Sequence, residues 1–95
     1  MENISYTLNG QELLITDFKK PLALAGIKGG IGSEIDKSTK NIVIEAANFE
    51  PLNIRQTSKS LNLKTDASLR FENNLDPNLT TIALNRFLTL LSETN

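Results

Sequence analysis

Cysteine, histidine and tryptophan are all missing from this 95-residue chain. Without cysteine there are no disulfides, no thiolate metal sites and no thiol nucleophile. Without histidine, acid–base chemistry near neutral pH falls to carboxylates, a perturbed lysine, water or the substrate itself. Aromatics are sparse at 5%: Tyr6, Phe18, Phe49, Phe71 and Phe87. No apolar run reaches membrane-spanning length and no basic-then-apolar leader opens the chain, so no membrane partner is expected and the location is expected to be cytoplasmic. An excess of positive charge is also lacking. The formal net charge is −1, which argues against a domain whose main task is gripping nucleic acid by its phosphates, but leaves room for contact with an RNA end held elsewhere. Both ends fall mid-pattern, so the chain reads as a piece of a longer protein, and its length allows one small domain with a modest core.

The first part, 1–48, reads as strand-rich and the second, 49–95, as helix-rich, an α+β arrangement with a mostly antiparallel sheet and two or three helices. Ile4–Leu8 alternates apolar and polar residues, Asn9-Gly10 is a hairpin signal, and Glu12–Ile15 resumes the strand. Pro21–Ile27 is a continuous apolar run, expected to be a strand buried on both faces. Asn41–Ala47 is rich in β-branched residues and predicts another buried strand. Glu50-Pro51 marks a helix start with Pro51 at the first helical position, and Ile54, Thr57, Ser58 and Leu61 follow at helical spacing. Asn62 stands where a left-handed cap is needed. Thr65-Asp66 can cap a short turn to Glu72. Asp76-Pro77 opens a final helix, Pro77 to about Ser92, whose apolar face is expected on the sheet.

Three stretches carry candidate chemistry. Gly26-Ile27-Lys28-Gly29-Gly30-Ile31-Gly32 has neither the dinucleotide spacing nor the phosphate-loop ending, so it is either a tight strand connection or a place where bare backbone admits a ligand. Glu45 interrupts an apolar strand. A carboxylate there is costly without donors, so it either reaches solvent or an arginine, or sits at a pocket floor accepting a hydrogen bond from a ligand. Thr65–Glu72 is dense in small and charged residues, consistent with helix capping by Thr65 or Asp66, a surface pair of Arg70 and Glu72, and an Asp66–Arg70 pair four apart on a helix. No serine or threonine has a histidine or cysteine to activate it, so no catalytic residue is assigned.

In order and spacing, Pro21–Gly30 (Pro-Leu-Ala-Leu-Ala-Gly-Ile-Lys-Gly-Gly), Thr39–Pro51, Ile54-Arg55, Leu63–Glu72 (Leu-Lys-Thr-Asp-Ala-Ser-Leu-Arg-Phe-Glu) and Asp76-Pro77 resemble the editing module (B3/B4) of bacterial-type phenylalanyl-tRNA synthetase beta subunits, in its carboxy-terminal half. The resemblance covers roughly residues 10–92. It implies a module that hydrolyses tyrosine wrongly attached to phenylalanine tRNA, within an ATP-dependent ligase of the aminoacyl-tRNA synthetase class used in protein biosynthesis. It also implies the tRNA 3′ end and its tyrosine moiety as partners, and an alpha subunit that performs synthesis with ATP and Mg2+; no cofactor and no metal is expected in this chain. By the same resemblance, Glu45 accepts from the tyrosine hydroxyl, the Gly26 N–H meets it, Ala25 and Gly29 line the pocket, and Thr65 and Ala67 shape its wall and entrance.

The family site also draws a histidine and a threonine from the preceding half of the module, and this chain has no histidine. Family members often carry methionine at Lys28 and glycine at Asn62 and Asn74. Alone, the chain is expected to be inactive and to self-associate through open strand surface; a strictly monomeric species in sedimentation at high concentration counts against this. The alternative function is a non-catalytic module binding RNA or amino acids.

Overall fold

The computed structural model describes residues 4–94; Met1 to Asn3 and Asn95, which the two-part reading of the chain included, lie outside the described residues. The architecture is α+β: a three-stranded antiparallel sheet of order β1-β2-β3, followed by three α-helices. β1 is Leu14–Thr16, β2 Pro21–Leu24 and β3 Lys28–Gly29. Pro21 opens β2, the strand position where a missing N–H costs least. Its partner in register is Thr16, at an irregularity in the β1 ladder.

Two expected strands are absent. Residues 4–8 form none, and Asn9-Gly10 makes a turn without joining two strands. The Glu12 carboxylate accepts the N–H groups of Asn9 (3.0 Å) and Gly10 (3.1 Å), and Asn9 Oδ1 accepts that of Gln11 (3.0 Å), so local side chains take donors that a ladder would use. Asn41–Ala47 is not a strand either: among the described residues no backbone hydrogen bond forms from 40 to 47, and Val43 is 99% exposed. A strand exists only as one member of a pair, and β propensity cannot supply the partner.

The Pro21–Ile27 run is also divided. It is β2 followed by a tight turn, Leu24-Ala25-Gly26-Ile27, closed by the Ile27 N–H donating to the Leu24 carbonyl at 3.1 Å. Gly26 holds φ +70 at the third position, which a type II turn requires and other residues resist. The run is apolar because the turn is buried, not because one strand spans it: Ala25 is 2% and Ile27 5% exposed.

The helices begin and end where side chains provide for them. In α1, Pro51–Ser60, Glu50 is the N-cap and accepts the Asn53 N–H at 2.7 Å. Its end is a Schellman arrangement. Asn62 takes φ 50, its N–H donates to Lys59 O (3.2 Å), and the Leu63 N–H donates to Ser58 O (2.9 Å). α2, Asp66–Phe71, is capped reciprocally by Thr65 and Ser68. Arg70 donates to the Asp66 backbone carbonyl (2.9 Å), not to its carboxylate.

The core is small. Ile27, Ile54 and Leu63 form it, with Tyr6, Leu24, Phe49, Leu61 and Phe71 packed around them. Phe49 and Ile54 stand at the positions of a hydrophobic staple around the Glu50 cap.

The last helix, α3, starts at Leu79 and runs to Thr94, two residues later at each end than expected. Before it, Asp76 Oδ1 accepts from Asn78 N (3.0 Å) and Asn78 Nδ2 (3.0 Å) in a separate turn. α3 buries none of its described residues, contrary to the expectation of a face packed on the sheet; Ile82 is 63% and Phe87 45% exposed. Periodicity creates an apolar stripe, but only a facing surface can bury it, and here the core is already closed by α1 and its flanking segments. No helix among the described residues is long and apolar enough to cross a membrane.

Two turns titrate in acid. The N–H groups of Lys19 (2.7 Å) and then Lys20 (2.8 Å) hold the Asp17 carboxyl below its ordinary 3.8, and the Ser38 hydroxyl and N–H do the same for Asp36. A carboxyl depressed in the folded state adds stability that is fully present above the ordinary value and is lost as pH falls through the folded one. Carboxyl resonances of both residues should therefore titrate with midpoints under 3.8, with amide exchange at Lys19, Lys20 and Ser38 quickening over the same range. Midpoints at or above 3.8 would contradict these hydrogen bonds.

Candidate functional site

The buried turn of β2–β3 faces α2 across an open cleft of about 250 Å3. Five of the six residues singled out from the sequence line it: Ala25, Gly26, Gly29, Glu45 and Ala67. They come from three separate places. The turn and β3 supply the first three, the unpaired segment before α1 brings Glu45, and the first turn of α2 brings Ala67.

Backbone chemistry explains why the turn stays put. The Ala25 N–H donates to Leu13 O at 2.9 Å, and the Ile27 carbonyl accepts from Thr65 Oγ1 at 2.7 Å. The Gly26 N–H makes no hydrogen bond among the described residues, so a donor is free at the tip of the turn.

The glycines separate into two kinds. A Cβ on Gly30 would lie 2.7 Å from the Leu22 carbonyl oxygen, so this glycine is required by the approach of two backbones. A Cβ on Gly29 would meet nothing within 4 Å. The fold does not need a glycine at Gly29; its bareness leaves the cleft open instead.

Thr65 is not among the lining residues. Its hydroxyl donates to Ile27 O and accepts from the Ser68 N–H (3.0 Å), which fastens the start of α2 to the end of the turn. Thr65→Ala removes the cap and leaves the Ile27 carbonyl unpaired, at a cost of roughly 0.5–2 kcal/mol. Thr65→Ser keeps both roles of the oxygen. Thermal unfolding should show a clear loss for alanine and near-recovery for serine; equal stability of the two variants would remove the clamp.

Glu45 is exposed and lies on no strand, which corrects the expectation of a carboxylate inside a buried strand. The unpaired backbone of residues 40–47 is the reason. Glu45 makes no hydrogen bond or ion pair among the described residues, and it also lines a neighbouring apolar groove of about 370 Å3 between 44–48 and α3. It stands on the ridge between two hollows, and its carboxylate is free to accept.

An aromatic pair that no local sequence signal marks also lines the cleft. Phe49 and Phe71 meet edge to face with centroids 5.0 Å apart at 67°. Phe49 was accessible from its position just before the Glu50 cap; nothing local marks Phe71 as its partner. Among the described residues no group of three or more acidic side chains is gathered closely enough to hold a metal ion.

A model of the B3/4 domain family matches residues 1–95. The chain is 44% identical over 93 residues to the phenylalanine–tRNA ligase beta subunit of Clostridium tetani, covering 98% of the chain and 12% of that protein. It is 49% identical over 89 residues to the beta subunit of the same ligase from Clostridium acetobutylicum, covering 94% and 11%. With that of Protochlamydia amoebophila the figures are 47% over 92 residues, covering 90% and 12%. The chain therefore spans about an eighth of the length of these curated relatives.

Proposed function

This chain belongs to the B3/4 domain family, and from that premise we propose that it is part of a phenylalanine–tRNA ligase beta subunit, where its cleft admits the tyrosyl group of a mischarged tRNA for hydrolysis. The observation that carries the reading is that Glu45 and Gly26, whose carboxylate and N–H have no partner among the described residues, line one small cleft together with two phenylalanines.

The chemistry is one of unequal pairing. A phenol both donates and accepts, so its hydroxyl can give its proton to Glu45 and receive the Gly26 N–H. Its ring meets Phe49 and Phe71, an apolar and edge-on surface suited to another ring. With the cleft covered, phenylalanine fills the same space but leaves both polar groups desolvated and unpaired, at roughly 1–3 kcal/mol. A synthetic pocket that merely tolerates an added hydroxyl rejects tyrosine weakly, and a second site built to pair with that hydroxyl supplies the missing discrimination. The cleft is just under the usual size of small-molecule pockets, roughly 300–1,000 Å3, in keeping with one amino-acid side chain. Hydrolysis then requires a positioned water at the ester and no covalent nucleophile from this chain. The Thr65 hydroxyl is already committed to holding the turn.

The exposure of Glu45 sets a condition. An acceptor bathed in water discriminates little, because water pairs with it whichever substrate is bound. The reading therefore places further polypeptide, or the acylated RNA end itself, over the cleft during reaction. The test is deacylation by the full-length beta subunit assembled with its alpha partner. Tyrosyl-tRNA is expected to be hydrolysed at least tenfold faster than phenylalanyl-tRNA. Equal rates overturn the reading, and saturable binding of tyrosine without any deacylation supports an amino-acid-binding module instead.

A further inference from the structure

A further cleft lies beside α1 and the end of α2, and it is almost wholly polar. Arg55, Lys59, Lys64, Glu72 and Asn73 line about 300 Å3 of open space. Arg55 and Lys59 are four apart on α1, which puts them on one face, and Lys64 follows the Schellman end of that helix. All three residues are exposed, and none of their side chains makes a hydrogen bond or ion pair with any described residue, Glu72 included. Three of the chain's ten cationic side chains thus converge on one hollow of a protein whose net charge is −1.

Folding does not call for this. Like charges four apart on a helix are mildly destabilising. Lys59 in the last turn of α1 gains from the helix dipole, but Arg55 and Lys64 have no such compensation. Arginine beside lysines without carboxylate partners suits oxyanions: the guanidinium offers two parallel donors to a phosphate, and the ammonium groups act as point charges.

We infer that this cleft is a phosphate-binding site that takes the phosphodiester backbone of an RNA. The inference is independent of what the Glu45 cleft does, and it assigns to the polar cleft at α1 and the end of α2 a positioning role with no chemistry. Phosphate contacts of this kind fix register and orientation without reading sequence. Glu72 works against the bound anion, so its removal has a defined sign.

The experiment uses the full chain and a fluorescein-labelled RNA hairpin, with binding followed by anisotropy across a salt series. Arg55→Ala, Lys59→Ala and Lys64→Ala together should weaken binding at least tenfold at low salt. They should also flatten the logarithmic salt slope by about two to three, since each lost phosphate contact removes roughly 0.7–0.9. Lys19→Ala with Lys20→Ala removes two cations from the β1–β2 turn and should change affinity less than twofold. Glu72→Gln should tighten binding two- to fivefold. Circular dichroism should show all three variants folded, because none of the substituted side chains makes a hydrogen bond or ion pair with a described residue. If inorganic tripolyphosphate displaces the hairpin only at millimolar levels, the RNA backbone is the ligand; displacement at micromolar levels overturns that assignment in favour of a compact polyphosphate. An unchanged salt slope in the triple variant, or an equal loss in the Lys19/Lys20 control, also overturns the inference.

Discussion

Glu45→Ala is expected to lower kcat/KM for tyrosyl-tRNA deacylation by about 10–100-fold, which corresponds to roughly 1.4–2.8 kcal/mol of lost transition-state interaction. Under the proposed function the cleft takes no part in phenylalanine activation, so that step should be unchanged in the assembled ligase. This loss lies well below the roughly 10^4–10^5-fold discrimination of a buried site that pairs with a substrate hydroxyl, because Glu45 is exposed in this chain. Glu45→Gln keeps an acceptor oxygen of the same reach and should lose less. Single-turnover deacylation of tyrosyl- and phenylalanyl-tRNA by the three proteins separates the effects. If all three proteins deacylate tyrosyl-tRNA equally fast, Glu45 has no place in the site. If both charged tRNAs slow in parallel, the carboxylate acts on something other than the hydroxyl.

Gly26→Ala is expected to damage fold and site together. The residue holds φ +70, and left-handed backbone costs an alanine roughly 1–2 kcal/mol. The added Cβ would also lie 3.0 Å from Ile54 Cδ1, 3.0 Å from Phe49 Cδ2 and 3.3 Å from Phe71 Cδ2. Overpacking of that kind adds roughly 1–3 kcal/mol. A total of about 2–5 kcal/mol is a large part of the stability of a domain this small, and it should lower Tm by about 8–40 °C. Part of the cost is steric, which makes a second variant informative. Ile54→Val removes the Cδ1 atom nearest the new methyl, so Gly26→Ala with Ile54→Val should be less destabilised than the sum of the two changes. Strict additivity would mean that the backbone strain, not the contact, dominates. A Tm within a few degrees of the parent for Gly26→Ala would show that the turn relaxes freely.

The same three aromatic and aliphatic side chains that would collide with a methyl on Gly26 tie the core to the cleft. Ile54 is 1% exposed at the centre of the core, while Phe49 and Phe71 belong to both. Loss of stability and loss of the site are therefore not separable at this turn, whereas at Gly29, where a Cβ meets nothing, they are.

What could be read from the chain alone was local. The Glu50-Pro51 start of α1, the left-handed Asn62 and the Thr65 cap of α2 all follow from short-range chemistry: a side-chain oxygen meeting a nearby N–H, a fixed φ, a residue tolerant of positive φ. These interactions span a few residues, so neighbours in sequence suffice to predict them. The helices of the α+β arrangement come from the same source, since a helical pattern is a property of a single segment.

What the tertiary structure decided was long-range. Ile4–Leu8 and Asn41–Ala47 have strand composition but no strand, because pairing depends on an edge that another part of the molecule must present. The Pro21–Ile27 run folds back on itself at Gly26, since a buried turn and a buried strand have the same apolar composition. α3 has its stripe without a surface to cover it. The cleft belongs to this second class. Ala25, Gly26, Gly29, Glu45 and Ala67 were named from the resemblance, but no periodicity brings the segment carrying Glu45 to the turn carrying Gly26, some 19 positions earlier in the chain. That meeting is made by packing across Phe49 and Phe71, a contact between residues 22 positions apart, and sequence-local forces cannot choose between such distant pairs.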